Sequence, residues 1–320
     1  MPLPASFAGR LRLPVLAAPM FLTSGPDLVV EACRSGIVGS FPALNQRSTE
    51  GFVAWLDEIE GRLAGVPGVA PFGVNLIVHK SNPRLRADLD VVIARRVPLV
   101  ITSLGAVSEI VAEVHSYGGL VFHDVISRRH AEKAAAAGVD GIIAVAAGAG
   151  GHGGTLSPFA MIEEIRQVFA GTIILAGAIG RGSHVLAARA AGADMVSIGT
   201  RFLATREALV PQAQKDMVRE ALAGDIVHTP AISGVAANFL RRSLVQNGLD
   251  PDALPSRGRL DMADEVRIWK TVWSAGQGVG SIDDIPGTAE LCQRLAAEYR
   301  DAMERLLRDP FDDGRGGAQP

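Results

Sequence analysis

A histidine set among glycines is the clearest candidate for chemistry in this chain. His152 lies in the stretch 148–154, Gly-Ala-Gly-Gly-His-Gly-Gly, which directly follows the apolar run 141–145. Glycine has no Cβ atom, so such a loop lets the backbone come close to a ligand. An imidazole can accept or donate a proton near neutral pH. The pattern predicts a buried strand that opens into a loop carrying a base or hydrogen-bond donor. A mobile surface loop with an inert histidine is the alternative.

Two later turns have the composition of a phosphate site. Residues 176–180 are Ala-Gly-Ala-Ile-Gly and residues 197–201 are Ser-Ile-Gly-Thr-Arg, and each stretch ends an apolar run. Glycine-containing turns at the starts of helices leave backbone N–H groups free, and these groups with the Thr200 hydroxyl suit a phosphate dianion. Either turn alone is more typical of ordinary strand-to-helix turning. Their joint occurrence after the seventh and eighth predicted strands favours phosphate binding.

Other candidates are weaker when each is taken alone. Asn75 can donate and accept hydrogen bonds, which suits the pyrimidine edge of a flavin, although a turn-forming asparagine is the simpler interpretation. Pro19 and Met20 offer backbone and a thioether to an aromatic ring, although core packing is the commoner role. Asp124 follows the fifth predicted strand and is a weaker candidate, as are Ser103 and His123. No spaced set of histidine, aspartate or glutamate residues predicts a metal site.

The elements that must position these residues follow a strand-helix alternation. Eight short apolar runs read as parallel strands covered on both faces, and helical patterns separate them. Glycine at 36, 138 and 192 is expected to end three of these helices in the left-handed conformation. The alternation predicts an α/β fold of the (β/α)₈ TIM-barrel class, with a doubly wound sheet as the alternative. The predicted strands are Val15–Ala18, Ile37–Ser40, Phe72–Leu76, Leu99–Thr102, Leu120–His123, Gly141–Val145, Thr172–Ala176 and Met195–Gly199.

The alternation stops after the eighth strand. We expect residues 1–205 and 276–308 to form the barrel and residues 206–275 to form a small helical insertion, or cap, over its mouth. A final helix at about 282–307 would close the barrel, and residues 309–320 are expected to be a flexible tail.

Composition excludes several classes of protein. The chain has 320 residues, a formal net charge of −3 and 48 % hydrophobic residues, which is typical of a globular enzyme. No basic patch indicates nucleic-acid binding, and no run of about 18 apolar residues indicates a membrane span. Cys33 and Cys292 are far apart in sequence, which disfavours a disulfide framework or thiolate metal site. With no secretory signal pattern at the N-terminus, these features predict a cytoplasmic protein.

Taken together, the motifs resemble those of the nitronate monooxygenase family, the former 2-nitropropane dioxygenases, among the FMN-dependent TIM-barrel oxidoreductases. The resemblance runs through nearly the whole chain. It is carried by residues 14–20 (PVLAAPM), 71–76 (PFGVNL), 149–154 (AGGHGG), 191–194 (AGAD), 197–207 (SIGTRFLATRE) and 273–278 (WSAGQG).

The resemblance implies non-covalent FMN at the barrel mouth and oxidation of alkyl nitronates with dioxygen to a carbonyl compound and nitrite. His152 would be the catalytic residue, and it could also take the α-proton of a neutral nitroalkane. The phosphate would lie on the backbone of Gly177, Ala178, Gly199 and Thr200. The other implied cofactor-binding residues are Ala18, Pro19, Met20, Asn75, Asp124, Ala149, Gly150, Gly151 and Gln277.

Three departures from the family pattern concern the site. Ala178 stands where relatives often have glycine, Asp124 where some have lysine, and Gly148 where several have a larger residue. Neighbouring branches with the same barrel include flavin-dependent NAD(P)H:quinone reductases and enoyl-thioester reductases, and these remain the alternative activity. A flavin-free phosphate-binding barrel is a further alternative. The implied partners are a small nitronate or nitroalkane and dioxygen, and a homodimer is one option for the oligomeric state.

Overall fold

Eleven strands and eleven α-helices make up the described part of the chain. In the computed structural model of the protein, residues 3–105, 107–254 and 269–308 are described. The strands are β1 (Val15–Ala17), β2 (Gly39–Pro42), β3 (Phe72–Ile77), β4 (Leu99–Ser103), β5 (Leu120–Val125), β6 (Gly141–Val145), β7 (Gly151–His152), β8 (Thr172–Ala176), β9 (Met195–Ile198), β10 (Ile226–Thr229) and β11 (Ala237–Leu240).

Helices follow most of the strands, as a barrel of βα units requires. They are α1 (Pro26–Arg34), α2 (Thr49–Leu63), α3 (Leu85–Ala94), α4 (Ser108–His115), α5 (Arg128–Ala137), α6 (Pro158–Arg166), α7 (Gly182–Ala190), α8 (Thr200–Leu203), α9 (Gln212–Glu220), α10 (Arg241–Gln246) and α11 (Thr288–Leu306).

Eight parallel strands form the barrel. Their order is β1-β9-β8-β6-β5-β4-β3-β2, and a parallel bridge between Leu16 and Val38 joins the two ends of this sheet. The predicted TIM-barrel class is therefore confirmed. Two predicted strands, β6 and β8, have the predicted bounds, and five others differ by at most two residues at an end. β2 begins two residues later than predicted and runs to Pro42.

Left-handed glycines end the helices at the predicted places. Gly36, Gly138 and Gly192 have φ angles of 80°, 85° and 102°. In each case the helix stops and the chain can turn into the next strand within a few residues, because glycine adopts positive φ without a Cβ clash. These turns fix the lengths of the αβ loops on the end of the barrel opposite the candidate site.

The core has two layers, inside and outside the sheet. Inside the barrel, large side chains such as Leu16, Phe122 and Met195 pack together, and Phe7 from an N-terminal 3₁₀ turn joins them. The rings of Phe7 and Phe122 meet edge to face with centroids 6.0 Å apart. Phe7 thereby fills the end of the barrel at which the strands begin. Outside the sheet, a larger apolar layer joins the strands to the helices.

The segment between the barrel and α11 is mixed rather than helical throughout. It contains α9 and α10, but β10 and β11 form an antiparallel hairpin, and β11 also pairs with β7. The hairpin differs from the predicted all-helical cap because its strands are four residues long and take their register from β7, a partner distant in sequence. Such pairing has no periodic signal in the local sequence.

Two further expectations fall partly or wholly outside the described residues. The tail 309–320 lies outside them, as do residues 255–268 of the predicted cap. Among the described helices, none combines the length and apolar character of a membrane span.

Candidate active site

A cavity of about 1020 Å³ opens at the end of the barrel where the strands finish. The βα loops of β1–β6, β8 and β9 line it, together with residues of the hairpin and of the segment 269–278. In barrels of this type the carboxyl ends of the strands are where ligands are bound. Among the described lining residues, the single carboxylate is that of Asp124.

The glycine-rich loop is a paired strand, not a free loop. Gly151 and His152 form β7 and pair with Asn238 and Ala237 of β11. The Gly151 N–H donates to Ser274 Oγ at 2.8 Å, and the Ser274 hydroxyl donates to the Asn238 carbonyl oxygen at 2.6 Å. Asn238 also donates from Nδ2 to the Ala149 carbonyl oxygen at 2.5 Å. The loop is therefore held on both sides of the histidine.

His152 is partly buried at the cavity wall. Its ring meets the ring of Trp269 edge to face, with centroids 5.6 Å apart and an interplanar angle of 86°. Trp269 in turn packs on Phe239 of β11 at 5.2 Å. Backbone pairing holds the Cα atom of His152, and the Trp269 ring packs against its imidazole. The imidazole is therefore oriented before a ligand binds.

A hydrogen-bonded row of polar side chains crosses the mouth on three adjacent strands. Asn75 on β3 donates from Nδ2 to Ser103 Oγ at 2.7 Å and to the Ile101 carbonyl oxygen at 3.1 Å. Ser103 on β4 donates to Asp124 Oδ2 on β5 at 2.6 Å. Burial raises the pKa of the Asp124 carboxyl to about 6, whereas the Ser103 hydrogen bond and the charge of nearby His152 act to lower it.

Three loops and the segment 276–277 meet where the phosphate is predicted. The Gly148 carbonyl oxygen accepts from the N–H groups of Ala178 at 3.3 Å and Gln277 at 2.9 Å. The Gly276 N–H donates to Thr200 Oγ1 at 2.8 Å. These bonds bring the predicted turns after β8 and β9 to one place, together with the loop after β6.

The glycines are needed there because backbones touch. A Cβ atom on Gly150 would lie 3.0 Å from the Gly276 nitrogen and 3.2 Å from Thr200 Oγ1. A Cβ atom on Gly276 would lie 2.4 Å from the Gly148 carbonyl oxygen. Gly177 has a φ of 136°, and Ala178 adopts the left-handed conformation at 53°.

The donors in this region fit the phosphate of FMN. Thr200 begins α8, so its N–H has no helical carbonyl partner, and its hydroxyl oxygen accepts from Gly276, which leaves the hydroxyl hydrogen to donate. The described carboxylate of the cavity, Asp124, lies in the polar row on β3–β5 rather than at these turns. Ala18, Met20 and the loop after β6 line the same cavity.

A family model for nitronate monooxygenase matches residues 82–298. The chain belongs to the nitronate monooxygenase family. The site just described lies largely within the matched residues.

Individual relatives of the family extend this finding. The chain is 30 % identical over 248 residues to "Putative monooxygenase Rv1533" of Mycobacterium tuberculosis (strain ATCC 25618 / H37Rv), which covers 72 % of this chain and 66 % of the relative. The matched region therefore spans just under two thirds of that relative. The chain is also 25 % identical over 342 residues to "(3aS,4S,5R,7aS)-5-hydroxy-7a-methyl-1-oxo-octahydro-1H-indene-4-carboxyl-CoA dehydrogenase" of Rhodococcus jostii (strain RHA1), with 92 % and 93 % covered.

Solved structures agree on the fold. Nitroalkane oxidase from Streptomyces ansochromogenes superposes with a TM-score of 0.82 at 23 % identity, covering 94 % of this chain and all of that one. At this identity the likeness establishes the barrel and its added segments. Within the described residues, no group of three or more histidine, cysteine or acidic side chains could hold a metal ion.

Most of the residues predicted to be catalytic or cofactor-binding line one cavity in the structure. His152 and twelve of the thirteen predicted cofactor-binding residues line it: Ala18, Pro19, Met20, Asn75, Asp124, Ala149, Gly150, Gly151, Gly177, Ala178, Gly199 and Thr200. Gln277 is the predicted residue outside the lining. It lies beside Gly148, since its side-chain oxygen would be 2.9 Å from a Cβ atom there.

Two backbone N–H groups predicted to contact the cofactor already donate hydrogen bonds within the protein. The Ala178 N–H donates to Gly148, so a phosphate could only share it. The Met20 N–H donates to Ser24 Oγ at 3.0 Å, so Met20 offers the cavity its side chain instead. Its sulfur would be 3.7 Å from a Cβ atom on Gly199.

Several residues that shape the site were not among the predicted site residues, although Ser274 lies in the motif 273–278. Asn238 and Ser274 tie the histidine strand to the hairpin, and Trp269 orients the ring. Each lies in the segment predicted as a helical cap, and their roles depend on a tertiary pairing. His130 and Lys133 of α5 also line the cavity at its rim. Their positions on a predicted helix indicate only that they are surface residues.

Proposed function

We propose that the protein is an FMN-dependent enzyme that oxidises alkyl nitronates with dioxygen to a carbonyl compound and nitrite. The observation that carries the proposal is the single cavity shared by an oriented imidazole and the glycine turns after β8 and β9. Thr200, Gly199 and Gly177 would hold the phosphate, and Asn75 and Asp124 would face the ring. When bound, FMN would supply a two-electron acceptor that can pass its electrons to dioxygen.

His152 orients the substrate or takes its proton. With a nitronate, which has already lost its α-proton, the imidazole would act as a hydrogen-bonding group for the anion. With a neutral nitroalkane, the imidazole would take the proton from the carbon next to the nitro group, and the C–H electrons would move onto the nitro group. Trp269 and the pairing with Ala237 hold the ring, which lowers the entropic cost of either task.

A second candidate is favoured by the size of the cavity. At about 1020 Å³ it is at the upper end of the range for ligand sites, and Leu104, Leu209 and Trp273 contribute apolar wall while Lys133 and Lys270 lie at the rim. A small nitronate beside FMN would leave much of this space unused. A bulky thioester of coenzyme A would place its phosphates near the lysines. Dehydrogenation or reduction of such a thioester is therefore the alternative activity, and the relative from Rhodococcus jostii bears such a name.

Flavin bleaching under anaerobic conditions tests the proposal. Purified protein would be mixed with propionate 3-nitronate, with NADH or with an acyl-CoA, and the visible flavin band followed. We expect prompt bleaching by the nitronate. Bleaching by NADH or by the acyl-CoA, with no bleaching by the nitronate, would contradict the proposal and support the second candidate. Colourless protein that takes up no added FMN would instead indicate a flavin-free phosphate-binding barrel.

Substitution of the histidine separates its two tasks. We expect His152→Asn to retain FMN and to lose about 10²-fold or more in the rate on neutral nitroalkanes, because asparagine cannot accept the proton. The rate on preformed nitronates should fall less. His115→Asn, on the exposed face of α4, is the matched control and should leave both rates unchanged. Equal rates of His152→Asn and wild type on both substrates would remove the histidine from the mechanism.

The cytoplasmic location and the homodimer remain predictions, as does the division at residues 205 and 276.

A further inference from the structure

The row Asn75–Ser103–Asp124 has a fixed direction. Asn75 Nδ2 donates to two oxygens, the Ile101 carbonyl and Ser103 Oγ, and reversing the amide would set its oxygen against the Ile101 carbonyl oxygen, which can only accept. The Ser103 oxygen accepts from Asn75, and its hydrogen is donated to Asp124 Oδ2. The row therefore presents acceptor oxygens to the cavity: Oδ1 of Asn75 and, when the carboxyl is ionised, Oδ1 of Asp124.

The hydrogen-bonding groups of a flavin ring do not complement this row if Asp124 is charged. The pyrimidine edge of the ring carries two carbonyl oxygens and one N–H group, so it offers more acceptors than donors. An ionised carboxylate against a carbonyl oxygen leaves two acceptors facing each other in a partly buried place, which costs free energy. A protonated carboxyl removes this conflict, because its Oδ1–H becomes a donor.

We propose that Asp124 binds the flavin in its protonated form, with Ser103 on Oδ2 and the proton on Oδ1 donated to an acceptor atom of the ring. The inference rests on the proposed function, because it requires a flavin at this mouth. It assigns to Asp124 a role in cofactor affinity that depends on its proton.

The surroundings of Asp124 support the proposal. β4 and β3 contribute the neutral Ser103 and Asn75, and β6 contributes Val145. The neighbouring His123 bonds through Nδ1 to Thr102. His152, which lines the same cavity, is the described group whose charge acts on the carboxyl. Burial therefore dominates, and the pKa of about 6 lies above the ordinary value of an aspartate even before a flavin is bound.

Flavin affinity as a function of pH tests the proposal without turnover. Flavin-free protein would be titrated with riboflavin, which lacks the phosphate, and with FMN, while flavin fluorescence is followed from pH 5.5 to pH 8. Wild type should bind riboflavin at least tenfold more weakly at pH 8 than at pH 5.5, because the proton is lost above the pKa. In Asp124→Asn the amide donates at every pH, so the ratio of the two dissociation constants should be near one.

Two further variants distinguish the proton from mere packing. Ser103→Ala removes a hydrogen bond that stabilises the ionised form, so the fall in affinity should move to higher pH. Asp124→Leu has no donor and should bind weakly at both ends of the range. Asp301→Asn, an exposed carboxyl of α11, is the matched control and should follow wild type.

The outcomes separate this inference from the proposed function. The same pH dependence in wild type and Asp124→Asn, or tighter binding of riboflavin by wild type at pH 8, would overturn the inference and leave the flavin enzyme intact. Failure of wild type to bind FMN or riboflavin at any pH would overturn both.

Discussion

Two adjacent residues of β5 show opposite responses to the same burial. Successive side chains of a strand point to opposite faces, so His123 bonds to Thr102 while Asp124 bonds to Ser103. Removal from water disfavours the charged form of each. It lowers the pKa of His123 to about 4 and raises that of Asp124 to about 6. The wall of the barrel near its mouth therefore favours neutral side chains.

We expect His123 to make the stability of the protein depend on acid. Its pKa is lower in the folded protein than in the unfolded chain, so the unfolded chain binds the proton first. The stabilising contribution is present above about pH 6.5 and is lost as the pH falls towards 4, by roughly 1 kcal/mol per pH unit. His123→Gln cannot titrate. The urea-unfolding free energy of wild type should therefore fall relative to that of His123→Gln over this range.

The control for this experiment is Gln293→Ala at an exposed position of α11, a change that adds and removes no titratable group. Its unfolding free energy should track that of wild type at every pH. Parallel curves for wild type and His123→Gln would show that burial of His123 has no effect on its ionisation.

At the scale of elements, one glycine determines how closely two helices approach. Gly182 begins α7, and its N–H donates to Glu298 Oε2 of α11 at 2.7 Å. A Cβ atom at this position would lie 2.1 Å from the Leu295 carbonyl oxygen and 2.4 Å from the Tyr299 nitrogen. These neighbours are backbone atoms of α11, so the helix itself would have to shift.

We expect Gly182→Ala to destabilise the protein by about 2 kcal/mol, within the range for overpacking. Gly61→Ala is the matched control, because Gly61 lies in α2 and a Cβ atom there meets nothing within 4 Å. It should stabilise the protein by about 0.5 kcal/mol through helix propensity. Thermal denaturation of both variants measures the effects, and a Gly182→Ala midpoint equal to that of wild type would contradict the packing argument.

The barrel was predictable at this scale because its signals are local. The run 141–145 has no polar side chain and the run 172–176 has only Thr172 at its start, as expected of strands covered on both faces, and their bounds agree with the structure. The glycine turns around positions 177 and 199 also identified one face of the cavity. β7 could not be predicted, because two residues among glycines become a strand only when β11 lies beside them. For the same reason, Asn238 and Trp269 could not be predicted as site residues, and Ser274 could be noticed only as part of the motif 273–278.

The molecule as a whole has a closed end and an open end. Phe7 and Phe122 fill the barrel where the strands begin, and the cavity opens where they finish. Barrel enzymes commonly divide stability and chemistry between these two ends. The packed pair Phe7 and Phe122 therefore contributes to the stability of the protein rather than to ligand binding.

We expect Phe7→Ala to lower the free energy of unfolding by about 3 kcal/mol, because it removes a fully buried ring and leaves a space that the rigid barrel cannot close. The affinity for FMN of the folded protein should be unchanged. Phe159→Ala, whose ring on α6 is 70 % exposed, is the matched control and should change neither quantity. A loss of FMN affinity in Phe7→Ala at a temperature where it is folded would contradict this division.

Because β7 carries His152 and also pairs with the hairpin, it affects how the protein would discriminate between large and small ligands. His152 is hydrogen-bonded through its backbone to the same hairpin that covers the mouth. A molecule bulky enough to push the hairpin aside would also tilt the imidazole away from its working position. Displacing the paired hairpin would also cost binding free energy, so oversized compounds would both bind more weakly and be converted more slowly, and selectivity would be expressed in kcat as well as in KM.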